Sequence, residues 1–419
     1  MNTLQFAGDV VIEKLVITTS AGKYQDITNQ VIGIQIFEDI FSPFITGSIV
    51  IKDSLDLVNM FPLIGEERLD MKISTPTLTT GNMDYKFAVT KMTNRTMIGD
   101  RSVGYELHFI SIESVVDVNA KISKTYSGNC SDIVKSLLTD SMFGLESEKT
   151  HIVEETSNRT KYTSNYWSVI KNINFMADTA VNKNYSPSFV FFENRNGFNF
   201  VSLETLYEND IYQEFVYDNY IRDVKSNGNS SRNVIEDYRR IRSIKIPVSF
   251  DYIKRNREGL YGSRMYTYDI TTKRAADITY NMFDNYASEK HLNDNPVVST
   301  KATYAYNSNI LNIPKCADSY TNYGDVTNTK TIQKRLSLMA QINSNKIEIT
   351  VPGRCDYTVG MKVKLKLNKI EPIKSEDSDI EDKLLSGNYI VSAINHVIDR
   401  ITHECNIELV KESLIMNLY

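Results

Sequence analysis

The residue types able to carry chemistry are few and scattered. The acid pair Glu66-Glu67 lies inside residues 49–73, IVIKDSLDLVNMFPLIGEERLDMKI, between a Pro-Leu-Ile-Gly corner and a strand-like run. Two carboxylates about 5–10 Å apart would serve glycoside hydrolysis. Neighbours on an extended chain point to opposite faces, so this pair reads instead as the solvated tip of a turn. The five histidines, His108, His151, His291, His396 and His403, show no H-x-x-x-H or H-x-H spacing and so no local metal signature. His403 and Cys405 share a face of one strand; two ligands are not a site, and a packed strand pair is the expected state. The four cysteines, Cys130, Cys316, Cys355 and Cys405, contain no C-x-x-C and read as reduced structural thiols. No G-x-S-x-G, G-x-x-x-x-G-K-[ST] or G-x-G-x-x-G occurs, which removes the common nucleophile-elbow and nucleotide signatures. No catalytic residue, cofactor or metal is expected.

The sharper charge feature is residues 222–257, where Arg222, Lys225, Arg232, Arg239, Arg240, Arg242, Lys245, Lys254, Arg255 and Arg257 face only Asp223, Glu236, Asp237 and Asp251. Such a segment could line a channel for nucleic acid. A solvated strand face paired with acidic neighbours is the favoured reading, since no stacking aromatic is clearly interleaved. The run Ser375-Glu-Asp-Ser-Asp-Ile-Glu-Asp382 reads as an exposed acidic loop between strands.

Residues 1–122 are read as the first of two β-rich blocks. Val10–Ile12, Leu15–Ile17, Ile32–Phe37, Gly47–Ile51, Leu69–Ile73, Tyr85–Val89 and Tyr105–Ile110 are short β-branched or aromatic runs bounded by turn residues, as in a small barrel or sandwich. From 123 to 205 the period changes to an α+β module. Ser127–Asp132 supplies capping residues, and Ile133, Val134, Leu137 and Leu138 share a helical face. Trp167, Ile170, Ile173, Ala177 and Ala180 mark a second helix, and Ser188–Glu193 with Phe198–Leu203 a β-hairpin for the helices to cover. Residues 206–270 and 340–419 form the second β block, with Lys346–Gly353, Met361–Leu367, Tyr389–Ile394 and Cys405–Val410 as strands. Ile241–Phe250 resembles a strand interrupted by Pro247, and 271–339 is an insertion or connecting segment ending in a helix marked by Ile332, Leu336 and Met339.

At 419 residues, with 41% apolar and 24% charged residues and a net charge of −5, the chain has material for several cores and no global attraction to nucleic acid. Asp9 and Glu13 interrupt the only apolar stretch near the start, so no signal-peptide core forms there. No run approaches the ~20 apolar residues that span a bilayer, so a soluble chain without stable membrane association is expected.

Several stretches together resemble the central baseplate hub subunit of contractile-tailed, T-even-like phages, whose fold recurs in the hub part of type VI secretion spikes. They are Phe37-Glu-Asp-Ile-Phe-Ser-Pro-Phe-Ile-Thr-Gly-Ser-Ile49, the Ile64–Glu67 turn, the Trp167 helix leading to the Phe189 hairpin, and Val359–Leu365, Leu385–Val391 and Ile394–Val397 before a last strand. The resemblance implies a mainly β chain with α+β insertions and two tube-like barrel domains. It implies a homotrimer whose six barrels form a pseudo-hexameric ring between a sixfold tail tube and a threefold puncturing spike. The implied partners are the spike protein, tube or tube-initiator proteins, the tape-measure protein and DNA passing through the lumen, in a virion baseplate assembled in the host cytoplasm. The alternatives are the hub of a related injection or type VI secretion apparatus and a peptidoglycan-cleaving tail enzyme, the latter disfavoured by the missing acid constellation. Aromatic residues, Tyr (25) and Phe (17), suit either large interfaces or barrel cores. Phe44, Leu55, Met60, Phe61, Ile415 and Tyr419 are candidate interface residues, with core packing the competing role for each. Arg239, Arg240 and Arg242 are candidates to face a lumen and DNA.

Overall fold

A computed structural model describes residues 6–76, 78, 81–99, 102–217, 234–248, 250–269, 272–298, 305–315, 329, 331–369 and 381–418. In the first block, β1 (Val11–Thr18), β2 (Tyr24–Asp26), β3 (Val31–Asp39), β4 (Thr46–Asp53), β5 (Arg68–Ser74), β6 (Met83–Met97) and β7 (Val103–Ser111) pair in the order β3-β4-β7-β6-β5-β1-β2. Period-two alternation sets the faces. Leu69, Met71 and Ile73 of β5 and Tyr85, Phe87 and Val89 of β6 turn into the core, and Lys72 and Lys86 turn away. The Phe87 and Phe109 rings lie 4.4 Å apart at its centre, where each fully buried large side chain contributes about 1.5–3 kcal/mol. The two runs expected at 10–17 are one strand, β1, with an irregularity between Ile12 and Lys14. Between β4 and β5 the apolar crossover makes one helical turn, α1 (Leu57–Met60).

The middle module follows as α2 (Ile112–Asn119), β8 (Thr125–Asn129), α3 (Cys130–Thr139), β9 (His151–Val153), β10 (Arg159–Thr163), α4 (Val169–Thr179), β11 (Phe189–Asn194), β12 (Gly197–Ser202) and α5 (Leu203–Glu208). Ile133, Val134, Leu137 and Leu138 of α3 are buried, as their spacing predicts. Within the expected capping run Asn129, the last residue of β8, stands at the N-cap of α3 but makes no side-chain cap bond, and the Ser131 N–H donates to Thr156 Oγ1 at 3.0 Å instead. Ser168 caps α4 by accepting the Lys171 N–H at 3.3 Å. The hairpin β11–β12 is buried on both faces. Phe189, Phe191, Phe198 and Phe200 pack under α3 and α4, while Val190, Phe192 and Val201 join the core of the second block. Its near-continuous apolar sequence, rather than an alternating one, is the pattern a doubly covered strand requires. Gly197 turns this hairpin at φ 123°, and a Cβ there would stand 2.1 Å from the Thr150 carbonyl oxygen.

The second block contains β13 (Ile211–Tyr217), α6 (Val234–Asp237), β14 (Ser243–Lys245) and α7 (Tyr252–Arg257). After them come β15 (Gly262–Asp269), β16 (Arg274–Asn281), α8 (Met282–Asn285), β17 (Asn295–Pro296), β18 (Ile310–Lys315) and α9 (Ile332–Ile342). The chain closes with β19 (Asn345–Pro352), β20 (Lys362–Leu367), β21 (Gly387–Asp399), β22 (His403–Lys411) and β23 (Ser413–Leu414). Among the described residues of the strand expected at 241–250, Ser243–Lys245 pair, at the sheet edge beside β19. Strand β15, placed with the second block by the sequence reading, pairs instead with β16 and β18 of residues 271–339 in a separate three-stranded sheet.

The decisive strand is β21. Its first half pairs with β20, Ile390 opposite Lys362, and its second half pairs with β3, from Ala393 opposite Asp39 to Asp399 opposite Gly33. The two β blocks are therefore one continuous, mostly antiparallel sheet of 13 strands, and no closed barrel forms among the described residues. Two cores remain, one on each block, because β21 and β3 join edges rather than stacked faces. No helix among the described residues is long and apolar enough to cross a membrane.

Candidate functional site

Asp53, buried at the end of β4, accepts the Leu55 and Leu57 N–H groups at 2.8 Å each. This Asx-type anchoring fixes the crossover so that Phe61 tucks into the first core while Leu55, Met60 and Ile64 stay exposed, Met60 at 76%. Asp53 lies opposite Val103 and Val103 opposite Met97. An exposed apolar rim of Leu55, Met60, Met97 and Ile98 therefore occupies one end of the first block. Phe44 is buried against the middle module, its ring edge-on to Phe198 at 6.2 Å. Near the C-terminus, β23 pairs with β17 of the same chain, Leu414 is buried and Ile415 is partly exposed. Tyr419 lies outside the described residues.

Glu66 and Glu67 diverge, as the extended-chain argument requires, but Glu67 is not a solvated tip. It is buried, and its carboxylate accepts the Ile64 N–H at 2.6 Å and the Gly65 N–H at 2.9 Å, holding the corner before β5. In the basic segment, Arg239 and Arg240 are exposed on the turn before β14. Arg242 pairs with Glu404, and Lys245 with Glu348 at 3.1 Å. Arg222, Lys225 and Arg232 lie outside the described residues. A groove of about 810 Å³ runs between α7, α9 and β19, and its lining, which includes Asp251, Lys254, Arg255, Glu258, Lys346 and Glu348, holds neither His nor Cys among the described residues.

The richest chemistry is buried where the blocks and the middle module meet. Glu38, wholly buried on β3, accepts hydrogen bonds from the Thr358 hydroxyl, the Val359 N–H at 3.2 Å and the Tyr85 hydroxyl at 3.1 Å. Burial outweighs these donors and pushes its carboxyl up to about 7. Lys149 reaches Glu113 at 2.7 Å and Glu193 at 2.5 Å. Burial opposes its charge, but the two carboxylates overcome that and hold the ammonium above its ordinary range.

One cluster assembles from a single hairpin. His396 on β21 stands directly opposite Cys405 on β22, and His403 lies two residues before Cys405 on the same face. His396 Nδ1 is 3.0 Å from His403 Nε2, and Cys405 Sγ is 3.3 Å from the former and 3.4 Å from the latter. All three residues are fully buried. Burial, then the neighbouring His403, pushes His396 well below the ordinary imidazole range, and burial alone pushes His403 down to about 3. Burial also raises the Cys405 thiol. The sequence reading paired His403 with Cys405 and missed His396. Folding residues 387–411 back about Asp399–Thr402 supplies the signal, since that register puts 396 opposite 405.

No known protein family matches the sequence, and no curated protein does. Solved structures match nearly the whole chain. The tail protein from Neisseria meningitidis MC58 aligns over 95% of this chain and 96% of its own with a TM-score of 0.54 at 10% identity. The 43 kDa tail protein of prophage MuSo2 from Shewanella oneidensis covers 95% and 98%, TM-score 0.54, at 8% identity. The prophage tail protein gp18 from Listeria monocytogenes EGD-e covers 95% and 94%, TM-score 0.50, at 10% identity. The resemblance to phage tail proteins read from the sequence is thus borne out at the level of fold: this chain carries the tail-protein fold that these three structures share.

Proposed function

We propose that the protein is a structural hub of a contractile phage tail. Three copies form a ring whose six tube-like β units, two per chain, join a sixfold tube to a threefold spike and leave a lumen for DNA. The spike, tube-initiating and tape-measure proteins are its partners in the virion baseplate, assembled in the host cytoplasm. The observation that carries this reading is the edge-to-edge join of β3 and β21, which sets two β units side by side in one wall within a single chain. A ring continues that arrangement between chains through a heterologous contact that closes after three subunits.

The exposed rim of Leu55 and Met60 is the surface assigned to contacts between subunits or with the tube, because solvent-facing apolar side chains clustered at one sheet end favour a protein partner. Light scattering on the purified chain is expected to give three times the 47.9 kDa of one chain. A threefold image with a central hole is expected beside it. Leu55→Asp and Met60→Asp, both at exposed positions, are expected to keep the fold and yield single chains. A wild-type protein that stays at the mass of one chain overturns the ring, and variants that remain trimeric remove this rim from the subunit contact.

Arg239 and Arg240 are assigned to the DNA path because they are exposed and, unlike the also exposed Arg242, make no salt bridge to a carboxylate among the described residues. Arg239→Glu/Arg240→Glu is expected to impair DNA delivery while trimers still form. Unchanged delivery by particles carrying the variant would take this turn out of the path.

A further inference from the structure

We propose that His396, His403 and Cys405 bind one borderline-soft divalent cation, zinc foremost, as a structural ion that pins the β21–β22 hairpin beneath the seam between the two β blocks. The spacing of the donors carries the argument. The three facing atoms lie 3.0, 3.3 and 3.4 Å apart. A tetrahedral zinc with ordinary Zn–N and Zn–S bonds separates its ligands by about 3.3 Å (N to N) and about 3.6 Å (N to S). The triangle thus matches one face of such a site to within about 0.3 Å, and slight outward rotation of the side chains brings the three donors to full ligand spacing.

The donor chemistry selects the ion. Two imidazole nitrogens and a thiolate suit zinc and its neighbours, while the oxygen-seeking magnesium and calcium find no oxygen ligand in the triad. His396 Nδ1, His403 Nε2 and Cys405 Sγ all face one another across the buried hairpin, so the three donor atoms already converge on one point. Cys405 Sγ also accepts the Arg354 backbone N–H, a contact that stabilises a thiolate. The outward nitrogens, His396 Nε2 and His403 Nδ1, have no hydrogen-bond partner among the described residues. Gly353 makes the room: a Cβ there would stand 2.3 Å from the His403 ring.

Binding is a ligand exchange with balanced charge and atoms. Zn2+ displaces the proton of the Cys405 thiol, a Zn–S bond forms as the S–H bond breaks, and the proton passes to solvent; the two neutral histidines donate lone pairs without losing a proton. The site is too deeply buried for a substrate to reach, which makes the ion structural. Its effect falls on β21, the strand that joins both blocks.

Full-length protein purified without chelators is expected to contain about one equivalent of zinc per chain by elemental mass spectrometry. Chelator-treated protein given Co2+ alone is expected to show the visible bands of tetrahedral cobalt and a thiolate-to-cobalt charge-transfer band, and Zn2+ alone is expected to raise its Tm. Cys405→Ser and His403→Gln are expected to lose the metal and both spectral features, while Cys130→Ser, a thiol in the middle module, keeps them. If the ligand variants fail to fold, the wild-type measurements decide. Wild type with less than about a tenth of an equivalent, no cobalt bands and no Tm response to Zn2+ overturns the proposal. So does metal retained by a folded Cys405→Ser or His403→Gln variant.

Discussion

Replacing Lys149 by Met is expected to lower the stability of the middle module by about 3–5 kcal/mol, the cost of breaking a buried ion pair from one side. Lys149 sits between Glu113 at the start of α2 and Glu193 on β11, and the Glu193 side chain is only 2% exposed. Glu193 also accepts the Ser111 hydroxyl at 2.5 Å and the Ile45 N–H at 3.1 Å, so this carboxylate ties the hairpin to the first block. Removing the ammonium leaves two carboxylates facing each other in a poorly solvated pocket, while the Met side chain nearly conserves volume. Trp167, the one tryptophan, lies beside α4 in this module and reports its unfolding by fluorescence. Urea unfolding followed by that signal gives the measurement. The double variant Lys149→Met/Glu193→Gln is expected to recover part of the loss, because it removes one uncompensated charge. A loss under about 1 kcal/mol for the single variant would show that the triad contributes no more than a surface pair.

The second large effect is on pH dependence. Glu38 has a folded pKa raised from 4.5 to about 7 by burial, the Thr358, Val359 and Tyr85 donors notwithstanding. Its proton is therefore held in the folded protein at pH values where the unfolded chain has released it. The associated stability is fully present below pH 4.5 and is lost as pH rises to about 7, beyond which this group contributes no further slope. That shift corresponds to about 3 kcal/mol. In the metal-free protein His403, with a folded value of about 3, has the opposite slope: its contribution falls as pH drops below 6.5, because the unfolded chain takes up the proton first. His396, also lowered, acts in the same sense as His403. The wild-type profile alone thus mixes opposing terms, and the informative quantity is the difference from Glu38→Gln. Between pH 4.5 and 7.5 wild type is expected to lose about 3 kcal/mol relative to that variant in parallel urea titrations. Parallel profiles would mean that Glu38 stays ionised at the seam.

What the sequence determined by itself is local. Apolar spacing every three or four residues marked α3, α4 and α9, and β-branched runs bounded by turn residues marked most strands, because those patterns depend only on backbone geometry. The hairpin from Ser188 to Leu203 was legible for the same reason. Only the tertiary structure decided which face or edge each element spends on which partner. Phe44 and Met60 are equally apolar in sequence, yet one is buried and the other exposed, since burial depends on what the rest of the chain places over them. Glu67 reads as a turn charge and becomes a buried acceptor because two N–H groups of its own corner point at it. Two barrels were expected where one sheet of 13 strands runs through. The pairing of β3 with β21 links residues more than 350 positions apart, and strand periodicity carries no information about a partner that distant. The His396, His403 and Cys405 triad lies between these extremes. Its members are close in sequence, but only hairpin register, fixed by the return of β22 along β21, turns them from two ligands on a strand into three on one face.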